Sequence, residues 1–161
     1  MKPIIAVIGG QRTEESLLHE AEKIGRLIAG RGAVLVCGGL GGVMEAASRG
    51  AKAEGGTTVG ILPESDARKA NQHIDIPVAT GMGAGRNVII ARTADALIAV
   101  GGEYGTLSEI AFALQMGKPV VGVRTWNIKG VVIAEDAADA VDRVFELLRT
   151  TPCPRQESRS L

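Results

Sequence analysis

Short apolar runs that end directly in glycine recur along this chain, and they constrain its fold more than any other feature. Continuous apolar runs of this length, bounded by turn residues, are typical of buried strands. Three of the runs, each with the glycines that follow it, are Ile4–Ile8 with Gly9-Gly10, Ala33–Cys37 with Gly38-Gly39, and Asp95–Val100 with Gly101-Gly102. Segments with apolar residues at helical spacing separate the runs. This alternation predicts a parallel sheet with helices on both faces.

The remaining elements continue the same alternation. Further strands are predicted at Thr57–Leu62, near Ile74–Val78, and at 119–123 and 130–135. Thr13 precedes two glutamates and is the predicted N-cap of the first helix, which ends at Gly30–Gly32. Later helices are predicted from 43 to the glycines at 55–56, and at 87–93, 107–116 and 136–149. The sequence thus predicts one α/β domain over residues 1–150, a Rossmann-like doubly wound parallel sheet, and a disordered tail at 151–161.

Composition excludes several classes of protein. Lys plus Arg and Asp plus Glu number 18 each, which argues against binding nucleic acid through bulk charge. With only four aromatic residues (one Trp, one Tyr, two Phe), the core must be built from Ala, Val, Ile and Leu. Cys37 lies in an apolar run and Cys153 in the tail, so we predict a buried and an exposed thiol in a cytoplasmic protein. His19 and His73 are isolated, so no metal site is predicted, and no segment predicts a membrane span.

The glycines cluster at one predicted edge of the sheet, because the carboxyl ends of parallel strands lie together. Glycine lets a ligand approach the backbone closely, and a helix N-terminus just beyond presents free N–H groups to an anion. Either glycine motif alone is typical of an ordinary tight turn. Their shared edge, with an arginine-bearing loop between them, favours a ligand site. We predict a phosphate or carboxylate site formed by Gly9, Gly10, Gly38, Gly39, Gly41, Gly42, Gly101, Gly102, Gly105 and Thr106.

Three charged residues each have two interpretations. Arg86 precedes a predicted helix, and it either reaches solvent or binds an anion that offsets the unfavourable helix dipole. Glu109 follows Thr106 by three residues, and the residues alone favour a capping box over catalysis. Glu45 is either a favourable acid in a first helical turn or a carboxylate that faces the ligand. The pattern GxGxxG does not follow the first strand, which argues against NAD.

Three segments, GGLGGVMEAASRGA, GMGAGRN and VGGEYGTLSEIAFAL, carry a resemblance to a known superfamily. They resemble the superfamily of the Lonely Guy cytokinin-activating proteins, often mislabelled lysine decarboxylases, to which DNA-processing Rossmann-like proteins are distantly related. The resemblance runs from about Ile4 to Leu148. Its most specific part spans 101–109, preceded by the Arg86 loop. Within the superfamily, the branch that looks most similar is that of the molybdenum cofactor carrier proteins.

The resemblance implies both a chemistry and residue roles. Lonely Guy enzymes cleave the N-glycosidic bond of a nucleoside 5′-monophosphate and release the base and ribose 5-phosphate. By motif, Gly102, Gly105 and Thr106 would hold the phosphate. Arg86 and Glu109 would match the catalytic arginine and glutamate of the family. A carboxylate suits this reaction because it can stabilise an oxocarbenium-like state or activate water.

Departures from the enzymes' motif favour the carrier branch. Val100 stands where the enzymes have proline, and both Glu103 and Tyr104 stand where they have one residue. Asn87 replaces a lysine, and Glu45 a small residue. We therefore expect a binding protein for a phosphorylated small molecule, a nucleotide or molybdenum cofactor, that requires no cofactor of its own. The alternative is a nucleoside 5′-monophosphate phosphoribohydrolase. The resemblance also implies a homodimer or tetramer.

Overall fold

The apolar runs form the strands of one parallel sheet in the computed structural model, which describes residues 1–150. The strands are β1 (Ile4–Gly9), β2 (Val34–Cys37), β3 (Thr58–Leu62), β4 (Ile76–Ala79), β5 (Ala96–Val100), β6 (Val120–Val123) and β7 (Val131–Ala134). The helices are α1 (Glu15–Gly30), α2 (Val43–Ala53), α3 (Asn87–Thr93), α4 (Tyr104–Gln115) and α5 (Ala137–Thr150). Short 3-10 helices cover Ala67–Lys69 and Gly83–Arg86. None of the described helices is long and apolar enough to cross a membrane.

The strand order confirms the predicted doubly wound sheet. The order is β4-β3-β2-β1-β5-β6-β7, and every neighbouring pair is parallel. The chain builds outward from β1 through β2, β3 and β4, then crosses to the other side of β1 and continues from β5. The loops after β1 and β5 therefore flank the crevice where such sheets bind ligands, as predicted.

Two apolar clusters hold the helices against the sheet, one on each face. Alternate side chains of a strand point to opposite faces, so Ile5 and Val7 of β1 pack in one cluster and Ala6 and Ile8 in the other. The first cluster includes residues of α1, α2 and α5, and the second includes residues of α3 and α4. Cys37 is fully buried in the first cluster, as predicted. Cys153 and the predicted tail lie outside the described residues.

Two predicted helix starts are wrong. The N-cap of α1 is Glu14 rather than Thr13, and no side chain caps this helix. The helix α4 begins at Tyr104, three residues earlier than predicted, because Gly101 and Gly102 turn the chain with φ of 53° and 108° immediately after β5. Thr106 therefore lies within the first turn, and its predicted capping box with Glu109 does not form.

Candidate functional site

A cavity of about 500 Å³ lies at the carboxyl edge of the sheet, where the loops after β1 and β5 separate. Open α/β sheets bind their ligands at this position because diverging loops leave a crevice there. The residues that line it are Ile8, Gly9, Gly10, Gln11, Arg12, Gly38, Met44, Arg86, Asn87, Glu103, Gly105, Thr106 and Glu109.

The N-terminus of α4 forms one wall of the cavity. Gly105 and Thr106 belong to the first helical turn, whose amides have no partner within a helix. Across residues 1–150, no acceptor pairs with either amide. The helix dipole adds a partial positive charge at this end. This wall therefore suits an anionic group.

Arg86 is buried beside the cavity, with 8% of its surface exposed. Its Nε donates to the Ile61 carbonyl at 2.6 Å, its Nη2 donates to the Gly38 carbonyl at 3.3 Å, and its Nη1 donates to Asn87 Oδ1. A guanidinium has five N–H groups, so two remain for a ligand. The interpretation of Arg86 as a solvent-facing side chain is therefore wrong. Burial lowers the pKa of Arg86, and the nearby Glu109 opposes that shift.

Gly38 lets the guanidinium lie directly against the end of β2. A Cβ at this position would lie 2.5 Å from Arg86 Nη2 and 2.6 Å from Met44 Sδ. Any larger residue would therefore displace Arg86 or Met44. The glycine after β2 contributes to the site by making room for a buried cation.

Asn87 connects Arg86 to the N-terminus of α4. Its side-chain oxygen accepts from Arg86, while Nδ2 donates to Ser108 Oγ at 3.0 Å and to the Gly105 carbonyl at 3.4 Å. Ser108 Oγ also donates to the Gly105 carbonyl at 2.6 Å. This network fixes the arginine relative to the free amides of α4.

Glu109 faces the cavity without a hydrogen-bond partner in the described part of the chain. Only 6% of the Glu109 surface is exposed. Every side-chain oxygen or nitrogen that is fully buried in that part of the chain has a hydrogen-bond partner, and Glu109 has none. Its carboxyl oxygens are therefore open to the cavity. Burial raises the pKa of Glu109 to about 8, although the charge of Arg86 acts to lower it. At neutral pH the group is mainly protonated, so it can donate a hydrogen bond to an anion.

The structure brings seven of the predicted site residues to the cavity: Gly9, Gly10, Gly38, Arg86, Gly105, Thr106 and Glu109. It leaves six outside the lining: Gly39, Gly41, Gly42, Glu45, Gly101 and Gly102. The predicted anion site at the start of α2 lies outside this lining and stays a prediction, and the first residue of that helix packs against the loop after β1. The Val43 amide donates to the Gly10 carbonyl at 3.1 Å. A Cβ at Gly42 would lie 2.4 Å from the same carbonyl oxygen.

Sequence reasoning missed six lining residues: Ile8, Gln11, Arg12, Met44, Asn87 and Glu103. Gln11 and Arg12 follow Gly9-Gly10 directly, so their place after a strand end was an available signal. Asn87 follows Arg86, but its hydrogen bonds to α4 depend on how α3 packs on α4.

The fold and the position of the cavity define a Rossmann-like α/β domain with a ligand-sized crevice at its strand crossover. The chain belongs to the SLOG cluster4 family, which residues 2–149 match. This membership confirms the resemblance to the Lonely Guy superfamily.

Known proteins of two kinds are similar to this chain. The structure of a molybdenum cofactor binding protein from Rippkaea orientalis is 36% identical, with a TM-score of 0.87 over 92% of this chain and 98% of that one. The molybdenum cofactor carrier protein of Chlamydomonas reinhardtii is 39% identical, with a TM-score of 0.86 over 94% and 100%. A cytokinin riboside 5′-monophosphate phosphoribohydrolase of Mycobacterium tuberculosis is 37% identical over 71% of this chain and 66% of its own length.

Proposed function

We propose that the protein binds a phosphorylated small molecule in this cavity, with the phosphate at the N-terminus of α4. The observation that supports the proposal most is a buried arginine that lines the same cavity as the free amides of Gly105 and Thr106 and has two N–H groups without a partner among residues 1–150. Arg86 supplies the charge, and the amides supply oriented donors. The protonated Glu109 adds a third kind of donor.

A carrier of molybdenum cofactor or of a nucleotide is the form of this function that we favour. Molybdopterin bears a phosphate, so it presents the same group to α4 as a nucleotide does. The similarity to molybdenum cofactor binding proteins along almost the whole chain supports this choice. Binding and release need no catalytic group, and a site that holds an anion is sufficient.

The test is ligand-dependent stabilisation, because a ligand that binds only the folded state raises the apparent melting temperature. We expect AMP, ribose 5-phosphate and molybdopterin each to raise the Tm of the wild-type protein. Arg86→Lys keeps the charge but loses the fork of donors, so affinity for each ligand should fall about 10- to 100-fold. Arg143→Ala, which removes an exposed arginine from α5, is the matched control and should bind as wild type. Equal shifts for Arg86→Lys and wild type would exclude Arg86 as a phosphate contact.

Hydrolysis of a nucleoside 5′-monophosphate is the second candidate, and Glu109 is the observation that favours it. A protonated carboxyl facing the cavity can give its proton to the departing base as water adds to the ribose carbon, and the resulting carboxylate takes up the proton that the water loses. The test is to incubate AMP and other nucleoside monophosphates with the protein and measure free base by chromatography. Release that Glu109→Ala abolishes would establish the hydrolase, and no release at high protein concentration would leave the binding protein.

A further inference from the structure

Two of the four aromatic residues of the chain meet on the surface at the N-terminus of α4. The ring centroids of Tyr104 and Trp126 lie 6.1 Å apart, with an angle of 31° between the planes. Tyr104 is 81% exposed, so its ring contributes little to the core. Its neighbours in the chain, Glu103 and Gly105, both line the cavity. Neither ring is part of the lining, but the backbone that carries Tyr104 runs along the cavity.

Trp126 is held in place by the segment that follows β6. Its Nε1 donates to the Glu103 carbonyl at 3.3 Å, and part of the side chain packs against the core on the α3 and α4 face. The preceding Thr125 donates its hydroxyl to the Gly101 carbonyl. Arg124 Nη1 lies 2.6 Å from Glu14 Oε1. Because these contacts fix the loop before any ligand arrives, little conformational entropy remains to be lost on binding.

We propose that Tyr104 and Trp126 form a stacking surface for the planar heteroaromatic ring system of the ligand. This inference rests on the proposed function, because it assumes that the phosphate lies at the N-terminus of α4. Tyr104 is the first residue of that helix, so its backbone is adjacent to the proposed phosphate site and a ligand that extends out of the cavity at this end would reach the ring. A polar cavity for the phosphate and an exposed aromatic pair at the same end of α4 match a ligand that has an anionic end and a flat end. Purine nucleotides and pterin phosphates share this chemistry.

The first test separates the ring from the phosphate. Stacking on an aromatic side chain makes a measurable contribution to the affinity for a base, so Tyr104→Ala should weaken AMP binding about 5- to 100-fold. Ribose 5-phosphate, which has no base, should bind Tyr104→Ala and wild type within about twofold. Tyr104→Phe is the matched control, because it keeps the ring and should bind AMP within about twofold of wild type. A pterin monophosphate in place of AMP shows which of the two ring systems the surface prefers.

The second test uses Trp126 as the probe, since it is the only tryptophan in the chain. AMP should quench its fluorescence on binding, whereas ribose 5-phosphate should leave it unchanged. The stacking surface is overturned if Tyr104→Ala binds AMP and the pterin phosphate as wild type does while Arg86→Lys loses both. The proposed function fails together with the inference if the wild-type protein binds neither of these ligands nor ribose 5-phosphate.

Discussion

Glu109 combines deep burial with an opening to the cavity, and its protonation state links stability to pH. The pKa of this carboxyl is about 8 in the folded chain, against an ordinary value of 4.5. Between these values the unfolded chain binds fewer protons than the folded one, so stability falls as pH rises through this window. Below pH 4.5 both states are protonated, and the penalty is absent.

Glu109→Gln should remove this dependence, because glutamine has a similar shape and no charge to desolvate. Each pKa unit corresponds to about 1.4 kcal/mol, so the variant should be more stable than wild type by on the order of 4 kcal/mol at pH 8. At pH 4 the two proteins should be nearly equal in stability. Urea denaturation at both pH values measures the difference. Parallel stability–pH curves for the two proteins would show that Glu109 has an ordinary pKa.

The affinity of the site for an anion should depend on the protonation state of Glu109. Sulfate keeps its charge across neutral pH, so any change in its binding comes from the protein. We expect wild-type affinity for sulfate to fall above pH 8, where the ionised Glu109 repels the anion, and the affinity of Glu109→Gln to stay constant. Calorimetric titrations at pH 7 and 9 measure this, and an equal decline in both proteins would assign the effect to another group.

At the scale of elements, the turn between β5 and α4 depends on Gly102. Its φ of 108° is unfavourable for other residues, and a Cβ there would lie 2.4 Å from Thr106 Oγ1. Gly117, after α4, also has a positive φ of 69° but has open space around the missing Cβ. Gly117→Ala should therefore cost about 1 to 2 kcal/mol from backbone strain alone.

Gly102→Ala should cost more than Gly117→Ala, by roughly a further 1 to 3 kcal/mol, because it adds a steric clash to the strain. It should also weaken phosphate binding, since it moves the amides of α4. Chemical denaturation of both variants gives the comparison. Equal losses in the two would mean that the turn relaxes freely around Gly102.

The strands could be predicted from the sequence and the details of helix starts could not. A continuous apolar run needs only burial on both faces, a property of the run itself, so β1, β2 and β5 follow from local composition. The start of α4 depends on the positive φ of Gly101 and Gly102, and that of α1 on a chain path without a side-chain cap.

Some residues of the candidate site could likewise be predicted from the sequence, and others could not. Gly38 and Arg86 could be predicted because Gly38 directly follows a strand and Arg86 directly precedes a helix at the shared edge, and Gly105 because it lies in the glycine-rich segment that follows β5 there. Glu45 lies in the first turn of α2 and outside the cavity lining, where the contact of α2 with the loop after β1 is a tertiary contact that no local pattern encodes. The roles of Glu109 and Asn87 likewise depend on how α3, α4 and the sheet pack together.

In the molecule as a whole, no element within residues 1–150 covers the edge of the sheet at β4. All four residues of β4 are exposed, including Ile76 at 51% and Val78 at 39%, and Met82 nearby is 51% exposed. Parallel sheets usually have both faces covered, and exposed apolar edges pair readily with other chains. This surface is where we expect the homodimer or tetramer implied by the resemblance to form.

Ile76→Glu should lower the mass of the assembly in light scattering after size-exclusion chromatography, because a charge would be buried against the second copy. Lys69→Glu, at the end of the neighbouring 3-10 helix, is a control that alters charge without removing apolar surface. An unchanged mass for Ile76→Glu would place any interface elsewhere, and a monomeric wild type would exclude the assembly.

A crystal structure of the protein with AMP would show whether the phosphate binds between Arg86 and the N-terminus of α4. We expect phosphate oxygens within hydrogen-bond distance of the Gly105 and Thr106 amides and of the Arg86 guanidinium. A well-ordered AMP whose phosphate contacts neither the arginine nor these amides would contradict the proposed phosphate site.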